Sequence, residues 1–538
     1  MTNNNVNGLS LANFWVGLVA ITAGVVLGVY QVVERSGLFP VLDSPTLYFA
    51  SVSTHGVLMG YVVTTFMIMG FGYYATTTSL KMPLPGKSFA WFGFWFSLVG
   101  VLIAAVPLLT GNGSVMYTFY PPLVAHPALY IGATMLVVGS WVWCFEMIWA
   151  MSIWKKAHPG EAVPLVHFGN TANAILWLFT TLGVAAEMLF QLIPWSLGLL
   201  ETIDVGLART FFSGTLHAIV YFWLFPAYIA MYTIVPKVIG SKLFSDEMAR
   251  IAFIMLLVIS VPIGMHHLYL DPFQEAGWKF VHMFGTFLVG LPTLFTGFTV
   301  IATLELAGRL RGGKGLFGWI MALPWKEPMM AALGCSMMML TFGGFGGLVN
   351  ASYSMDVMLH NTQWITGHFH LIFAGTTIIM YMGIVYHMFP RMLGRSLYSS
   401  TLAVKQLWLW FVGMLVLTLP WHYLGILGQP RRISSAPYDS PLVEQWIPHD
   451  IGMIVGGVLL LVSVLMLVYN LVKTHGSDAA NLVMEYAEPI HPAPRVPALL
   501  NGFGFWSVVV VIYLITSYGY PIAQFFIYET FGATTWGV

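Results

Sequence analysis

Thirteen apolar runs of roughly 20 residues follow one another along this 538-residue chain, and they leave little choice of fold. They cover residues 12–33, 48–75, 89–109, 126–153, 168–191, 208–236, 248–268, 281–308, 330–349, 365–390, 404–428, 449–473 and 501–529. A hydrocarbon core of about 30 Å takes about 20 helical residues to cross. Backbone groups in lipid must be satisfied within the chain, and these runs are far too long for barrel strands, so each is read as a helix. The expected class is all-α: a polytopic membrane protein with about 13 transmembrane helices. Residues 1–538 form a single integral membrane domain with short Gly- and Pro-rich loops and no obvious repeat. Charged residues make up only 8% of the chain, against about 25% in an ordinary soluble domain. Net charge is zero, with no long run of one sign to suggest nucleic acid. Residues 1–10 are Asn-rich and lack the basic start of a cleaved signal peptide. Cys144 and Cys335 lie in apolar runs and read as small buried hydrophobes.

Orientation follows from the basic residues. Loops after even-numbered helices hold Lys81, Lys87, Lys155, Lys156, Lys237, Lys242, Arg250, Arg309, Arg311, Lys314, Lys326, Arg391, Arg395, Lys405, Lys473 and Arg495, which is 16 of 21. The other side has Arg35, Arg209, Lys279, Arg431 and Arg432. The N-terminus is therefore expected in the cytoplasm and the C-terminus outside, in the cell membrane of a prokaryote.

In that orientation six histidines fall at one depth, in the outer part of the bilayer. They are His55, His217, His266, His267, His368 and His370. A polar side chain in hydrocarbon needs a partner, and neutral imidazole is the commonest metal ligand. In Gly367-His368-Phe369-His370 the two imidazoles are about 200° apart on a helix. One helix can thus serve two metal centres, one on each flank. Taken alone, the pair also fits two polar residues bonded to neighbours. In Met265-His266-His267 the rings are about 100° apart, so both can reach one ion near a helix end, with His217 at matching depth as a third ligand. Three imidazoles suit copper or zinc, and copper next to a haem allows redox chemistry. Taken alone, that cluster also fits side chains snorkelling to the headgroups. Tyr221 lies one turn from His217 on the same face, where a phenol can supply a proton and an electron; taken alone, the motif fits better a Tyr that satisfies a neighbour's hydrogen bond. His55 with His370 would give a six-coordinate iron that only carries electrons, and His368 would then hold a five-coordinate iron with an open face. Gln429-Pro430-Arg431-Arg432 puts two arginines outside at haem depth, where they can pair with propionates; taken alone, they fit solvated loop charges equally well. Asp356, His360 and Asn361 lie just above the same region.

These motifs resemble subunit I of the haem-copper oxygen reductases over nearly the whole chain. The signatures are His55-Gly-Val-Leu-Met-Gly60, His217-Ala-Ile-Val-Tyr221, Met265-His-His-Leu-Tyr269 with Asp271-Pro272, and His360-Asn-Thr-Gln-Trp-Ile-Thr-Gly-His-Phe-His370. The resemblance implies low-spin haem ligands His55 and His370, high-spin haem ligand His368, and copper ligands His217, His266 and His267. It also implies a covalent His217–Tyr221 link. The cofactors expected are two haems, of a or b type, and one copper ion. The chain is similar to the B-type (ba-like) branch: the familiar A-type carries a Glu in the sixth-helix motif, where this chain has Ala218 and Ile219. Many B-type members have Pro after the sixth-helix His, and Ala218 departs from that. The resemblance implies one hydroxyl-lined proton path through Tyr228, Tyr232, Thr293 and Thr296, with Tyr130 as an added member. Asp356 and His360 resemble a region that loads pumped protons and holds a non-redox metal.

The activity so implied is reduction of O2 to water, with protons taken from the cytoplasm and further protons pumped. The expected partners are a subunit II carrying a dinuclear copper centre, fed by cytochrome c, and a small single-helix subunit. A quinol donor is the alternative, since this chain has no copper-binding Cys/Met motif of its own. Two rival readings fit parts of the sequence. A nitric oxide reductase on the same scaffold lacks the sixth-helix tyrosine and places glutamates near the metal; the eighth helix here has only Glu305, at its far end. A non-redox transporter would use Glu146 and Glu187 as ion ligands, and would leave the histidines unexplained.

Overall fold

The computed structural model describes residues 6–39, 43–436, 440–492 and 495–527. The chain ends, whose sides of the membrane were inferred from charge, and residues 528–529 of the expected last span lie outside the described residues. Among the described residues, twelve helices are long and apolar enough to cross a membrane. They are α1 Asn7–Ser36, α2 Pro45–Leu80, α3 Lys87–Leu109, α4 Pro127–Ala157, α5 Leu165–Ser196, α6 Val205–Val238, α8 Ala276–Leu310, α9 Pro328–Ala351, α10 Gln363–Leu393, α11 Ser400–Ile426, α12 Pro441–Thr474 and α13 Gly504–Ile527.

The seventh expected span is the exception. Its helix, α7, runs only over Asp246–Ile259. Pro262 has no N–H to continue the ladder, and after a short irregular stretch the chain makes one 3₁₀ turn, Gly264–Leu268. His266 and His267 therefore sit on that turn, and not at the outer end of a continuous helix over 248–268. The eighth span also differs. It starts at Ala276 and is interrupted at Val289, between segments Ala276–Leu288 and Gly290–Leu310, with Pro292 just beyond.

Helix starts carry side-chain caps where the sequence supplies them. Ser44, Asp204, Ser245, Thr362 and Ser399 each accept a hydrogen bond from a first-turn N–H. Sequence neighbours pack as antiparallel pairs, most extensively α3 with α4 and α11 with α12. The α3–α4 contact depends on small residues: a Cβ on Gly132 would run into the Gly100 carbonyl oxygen.

Three spans form the inside of the bundle. In α2, α6 and α10 the most apolar window is 83–94% buried, against 56% or less in every other span. These three carry His55, His217, Tyr221, His368 and His370, so the polar groups lie where lipid does not reach. Each of the three is also irregular beside its histidine. In α2 a π-turn over Leu58–Val63 follows His55. In α6 the helix is broken at His217, between Val205–Leu216 and Ala218–Thr233. In α10 a π-turn over Leu371–Ile378 follows His370. Local widening of this kind redirects side chains and is frequent at functional sites.

Candidate metal centre

His217, His266 and His267 converge, with one ligand atom of each within 4.8 Å of the others. His217 Nδ1 is 3.0 Å from His267 Nε2, and the His217 and His266 rings are 4.3 Å apart, edge to face. Two metal–nitrogen bonds of about 2 Å bridge about 4 Å, so the trio is close to the span one ion would hold. The nitrogens available to it follow from the hydrogen bonds. The Thr286 hydroxyl donates to the His282 carbonyl at 2.6 Å and so accepts from His266 Nδ1 at 2.9 Å. That fixes the proton on Nδ1 and leaves Nε2 free, the arrangement that orients a ligating imidazole. On the other side of His217, Nε2 is 3.1 Å from the Tyr221 hydroxyl.

His55 and His370 form the second arrangement. Their rings face each other at 6.2 Å, with planes 23° apart. His55 Nδ1 donates to the Gly24 carbonyl at 2.7 Å, and His370 Nδ1 donates to the Thr366 carbonyl at 2.8 Å. Both Nε2 atoms are then bare acceptors, and two bonds of about 2 Å to one iron leave ring centres roughly 6 Å apart. A Cβ on Gly28 would lie 3.3 Å from His55, closer than an ordinary contact, so the glycine gives the ring room. The Trp421 ring packs 4.8 Å from His370, and its indole N–H is buried without a partner among the described residues. These features fit a bis-imidazole iron.

His368 leaves α10 on the other flank, as the two-residue spacing predicts. Its Nδ1 donates to the Gly343 carbonyl on α9 at 3.0 Å, again leaving Nε2 free. Cβ atoms on Gly346 or Gly347 would press within 3.1 Å of the imidazole, so the glycines of α9 make the seat. His368 lies within electrostatic reach of His217 and His267.

From Tyr221 a row of hydroxyls, buried except at the half-buried Thr293, extends along α6 and α8. Tyr228 donates to Thr293 at 3.1 Å and Tyr232 to Thr296 at 2.5 Å. Thr299 and Thr303, which the sequence reading missed, are buried farther along α8, and Thr303 Oγ1 accepts from Phe244 N. A threonine every three or four residues down one face was the available signal. Tyr130 is not joined to this row. Its hydroxyl accepts from Ala125 N at 3.0 Å, and its ring packs on Phe119 at 6.0 Å.

Above the histidines, Arg431 donates to Asn361 Oδ1 at 3.0 Å, and Asp356 Oδ2 lies 2.8 Å from His360 Nδ1. The Arg432 guanidinium lies over the Tyr120 ring at 4.9 Å. Arg209, also missed, covers that ring at 4.3 Å and pairs with Asp271 at 2.8 Å. Burial, and then Arg432 beside it, pull the Arg431 guanidinium down to about 9. Adjacent guanidinium groups under that strain suit anionic groups such as propionates.

The rivals' residues lie apart from these arrangements. Glu305 pairs with Arg309 on an exposed face of α8. Glu146 accepts from Gly86 N at 3.0 Å, and Glu187 is fully buried on α5.

The sequence model of the family described as cytochrome c and quinol oxidase polypeptide I matches residues 8–459. The chain belongs to that family. It is 37% identical over 528 residues to cytochrome c oxidase subunit 1 of Thermus thermophilus, covering 95% of this chain and 93% of that one. It is 26% identical to cytochrome c oxidase subunit 1 of Thermostichus vulcanus, covering 80% and 76%. A cryo-EM structure of a heme-copper terminal oxidase dimer superposes with a TM-score of 0.92 at 35% identity, over 97% of this chain and 93% of that one. The chain is thus a multi-pass membrane oxidoreductase of the cytochrome c oxidase type, the catalytic subunit of a terminal oxidase in a family that uses haem and copper. The match spans every histidine described above and ends before α13.

Proposed function

We propose that this chain reduces O2 to water at a high-spin haem and a copper ion. His368 holds the high-spin haem iron; His217, His266 and His267 hold the copper; His55 and His370 hold a low-spin haem of a or b type. The observation that carries this reading is the trio within 4.8 Å beside two further imidazole sites whose Nε2 atoms are free. When bound, the metals supply electrons and a place for O2, in the reaction O2 + 4 electrons + 4 protons giving two waters.

The chain's own residues manage protons. Tyr221 stands 3.1 Å from His217 Nε2 and donates its phenolic proton at the reacting end. The same proximity suits the covalent His217–Tyr221 link that the family resemblance implies. Tyr228 with Thr293 and Tyr232 with Thr296 return protons to it from the cytoplasmic side, because each hydroxyl both accepts and donates. Each charge so moved across the membrane is worth about 2.3 kcal/mol per 100 mV. Arg431, Arg432 and Asn361 bind the haem propionates, and the Asp356–His360 pair takes up pumped protons or a non-redox metal.

The branch is B-type, on the support of Ala218 and Ile219 at the place of the A-type glutamate and of a single hydroxyl row. The donor is cytochrome c through a subunit II with a dinuclear copper centre, on the support of the relatives' names; a quinol donor is the alternative. A small single-helix subunit completes the assembly. The enzyme lies in a prokaryotic cell membrane, N-terminus inside and C-terminus outside, on the support of the basic residues. An optical spectrum with metal analysis tests the reading. His55→Ala is expected to remove the low-spin haem signal alone; loss of the high-spin signal alone refutes the assignment.

A further inference from the structure

The turn that carries His266 and His267 is not self-supporting. It is a single 3₁₀ turn, Gly264–Leu268, after α7 has ended, and such turns have poor internal hydrogen bonds. Its support comes from elsewhere in the chain. The Tyr518 hydroxyl, on α13, accepts from Gly264 N at 3.1 Å and donates to the Val261 carbonyl at 3.1 Å. One oxygen thus ties both ends of the stretch that precedes the histidines. Next along the turn, Met265 N donates to His282 Nδ1 at 3.2 Å. With Nδ1 accepting, His282 Nε2 carries the ring proton and donates to the Ser517 carbonyl at 3.3 Å, again on α13. The His282 ring stands edge-on to Tyr518 at 5.1 Å. His282 and Tyr518 are both buried. The fit is close: a Cβ on Gly264 would overlap the Ser213 carbonyl oxygen and lie 2.7 Å from the Tyr518 hydroxyl.

Otherwise α13 is a peripheral helix. Only 22% of its most apolar window is buried, and its buried residues are Val510, Ser517, Tyr518, Pro521 and Gln524. Ser517 and Tyr518 fall in a π-turn, Ile515–Gly519, where the helix departs from its regular ladder. The family match ends at residue 459, so this helix lies outside the part of the chain that the family model describes.

We propose that α13 clamps the copper-ligand turn, with Tyr518 as a positioning residue that acts directly on the backbone and His282 as its second arm. This rests on the reading that His266 and His267 hold copper. The clamp sets the direction of two imidazoles by holding Val261, Gly264 and Met265, and touches neither O2 nor the metal.

The test uses the assembled enzyme. Tyr518→Phe keeps the ring and removes the hydroxyl, stranding Gly264 N and the Val261 carbonyl. Tyr513→Phe, on the exposed face of the same helix, is the control. Copper released to a chelator is measured per haem iron, so that copper elsewhere in the assembly cancels between variants. A buried donor left without its partner weakens the turn enough to speed release by about tenfold. The infrared band of carbon monoxide on copper is expected to broaden in Tyr518→Phe and not in Tyr513→Phe, while low-spin haem absorbance stays unchanged in both. Release at the wild-type rate with an unshifted, sharp band overturns the proposal. If Tyr518→Phe fails to assemble, His282→Leu and His282→Gln carry the same comparison: Gln keeps an acceptor and a donor and is expected to retain copper, whereas Leu is expected to lose it. Equal release from the two overturns the proposal. If His266→Ala leaves copper content at the wild-type value, the ligand assignment has failed and not the clamp.

Discussion

Replacing Thr296 by Val tests the proton path at its tightest step. Tyr232 donates to Thr296 Oγ1 at 2.5 Å, and that oxygen donates in turn to the Pro292 carbonyl at 2.8 Å. Both side chains are fully buried. Val has nearly the shape of Thr, so packing is kept, but a methyl group neither accepts nor donates. The Tyr232 hydroxyl is left without its partner, at a cost of about 1–3 kcal/mol. If the relayed proton meets that same penalty, its transfer slows roughly 5- to 150-fold. Thr296→Ser keeps the hydroxyl and is expected to stay near wild type. The assay is oxygen consumption with saturating donor, together with proton uptake followed by a pH indicator after a single turnover. Both haem spectra report that the variant is folded. Wild-type oxygen consumption and uptake in Thr296→Val refute the idea that protons pass through this hydroxyl.

Other outcomes follow from the same geometry. Tyr221→Phe is expected to abolish oxygen reduction with both haems still bound; a variant that turns over normally removes Tyr221 from the chemistry. Thr286→Val takes away the acceptor of His266 Nδ1, and is expected to weaken copper binding by roughly 10- to 100-fold, read by competition with a chelator. Gly132→Ala drives a Cβ into the Gly100 carbonyl oxygen. It is expected to cost about 1–3 kcal/mol of stability, seen as a lower thermal midpoint with the haem spectra unaltered before unfolding.

Much of this arrangement was legible before any coordinates, because lipid makes sequence unusually informative. Backbone satisfaction forces helices, and the cost of burying imidazoles singles out those that have partners. The two-residue spacing of His368 and His370 put them on opposite flanks of α10, and the structure has His370 facing His55 and His368 against α9. The residues read as a path, Tyr228, Tyr232, Thr293 and Thr296, lie in two hydrogen-bonded pairs. Tyr130 did not join them, because a tyrosine near a helix start reveals nothing of which neighbour its hydroxyl meets. The 3₁₀ turn under His266 and His267 was hidden by apolar residues that continue the pattern of α7 past its end. Thr286, His282 and Arg209 were missed because each acts through a partner far away in sequence.

By itself the sequence determined the helical class, the membrane as solvent, and the six histidines that need partners. All of these follow from hydropathy, period and the cost of polar groups in hydrocarbon, which are local properties. Only the tertiary structure decided which nitrogen of each imidazole is free, where α7 stops, and what holds the turn beyond it. Those depend on hydrogen bonds such as Gly24 to His55 and Tyr518 to Gly264, between groups that no spacing along the chain connects.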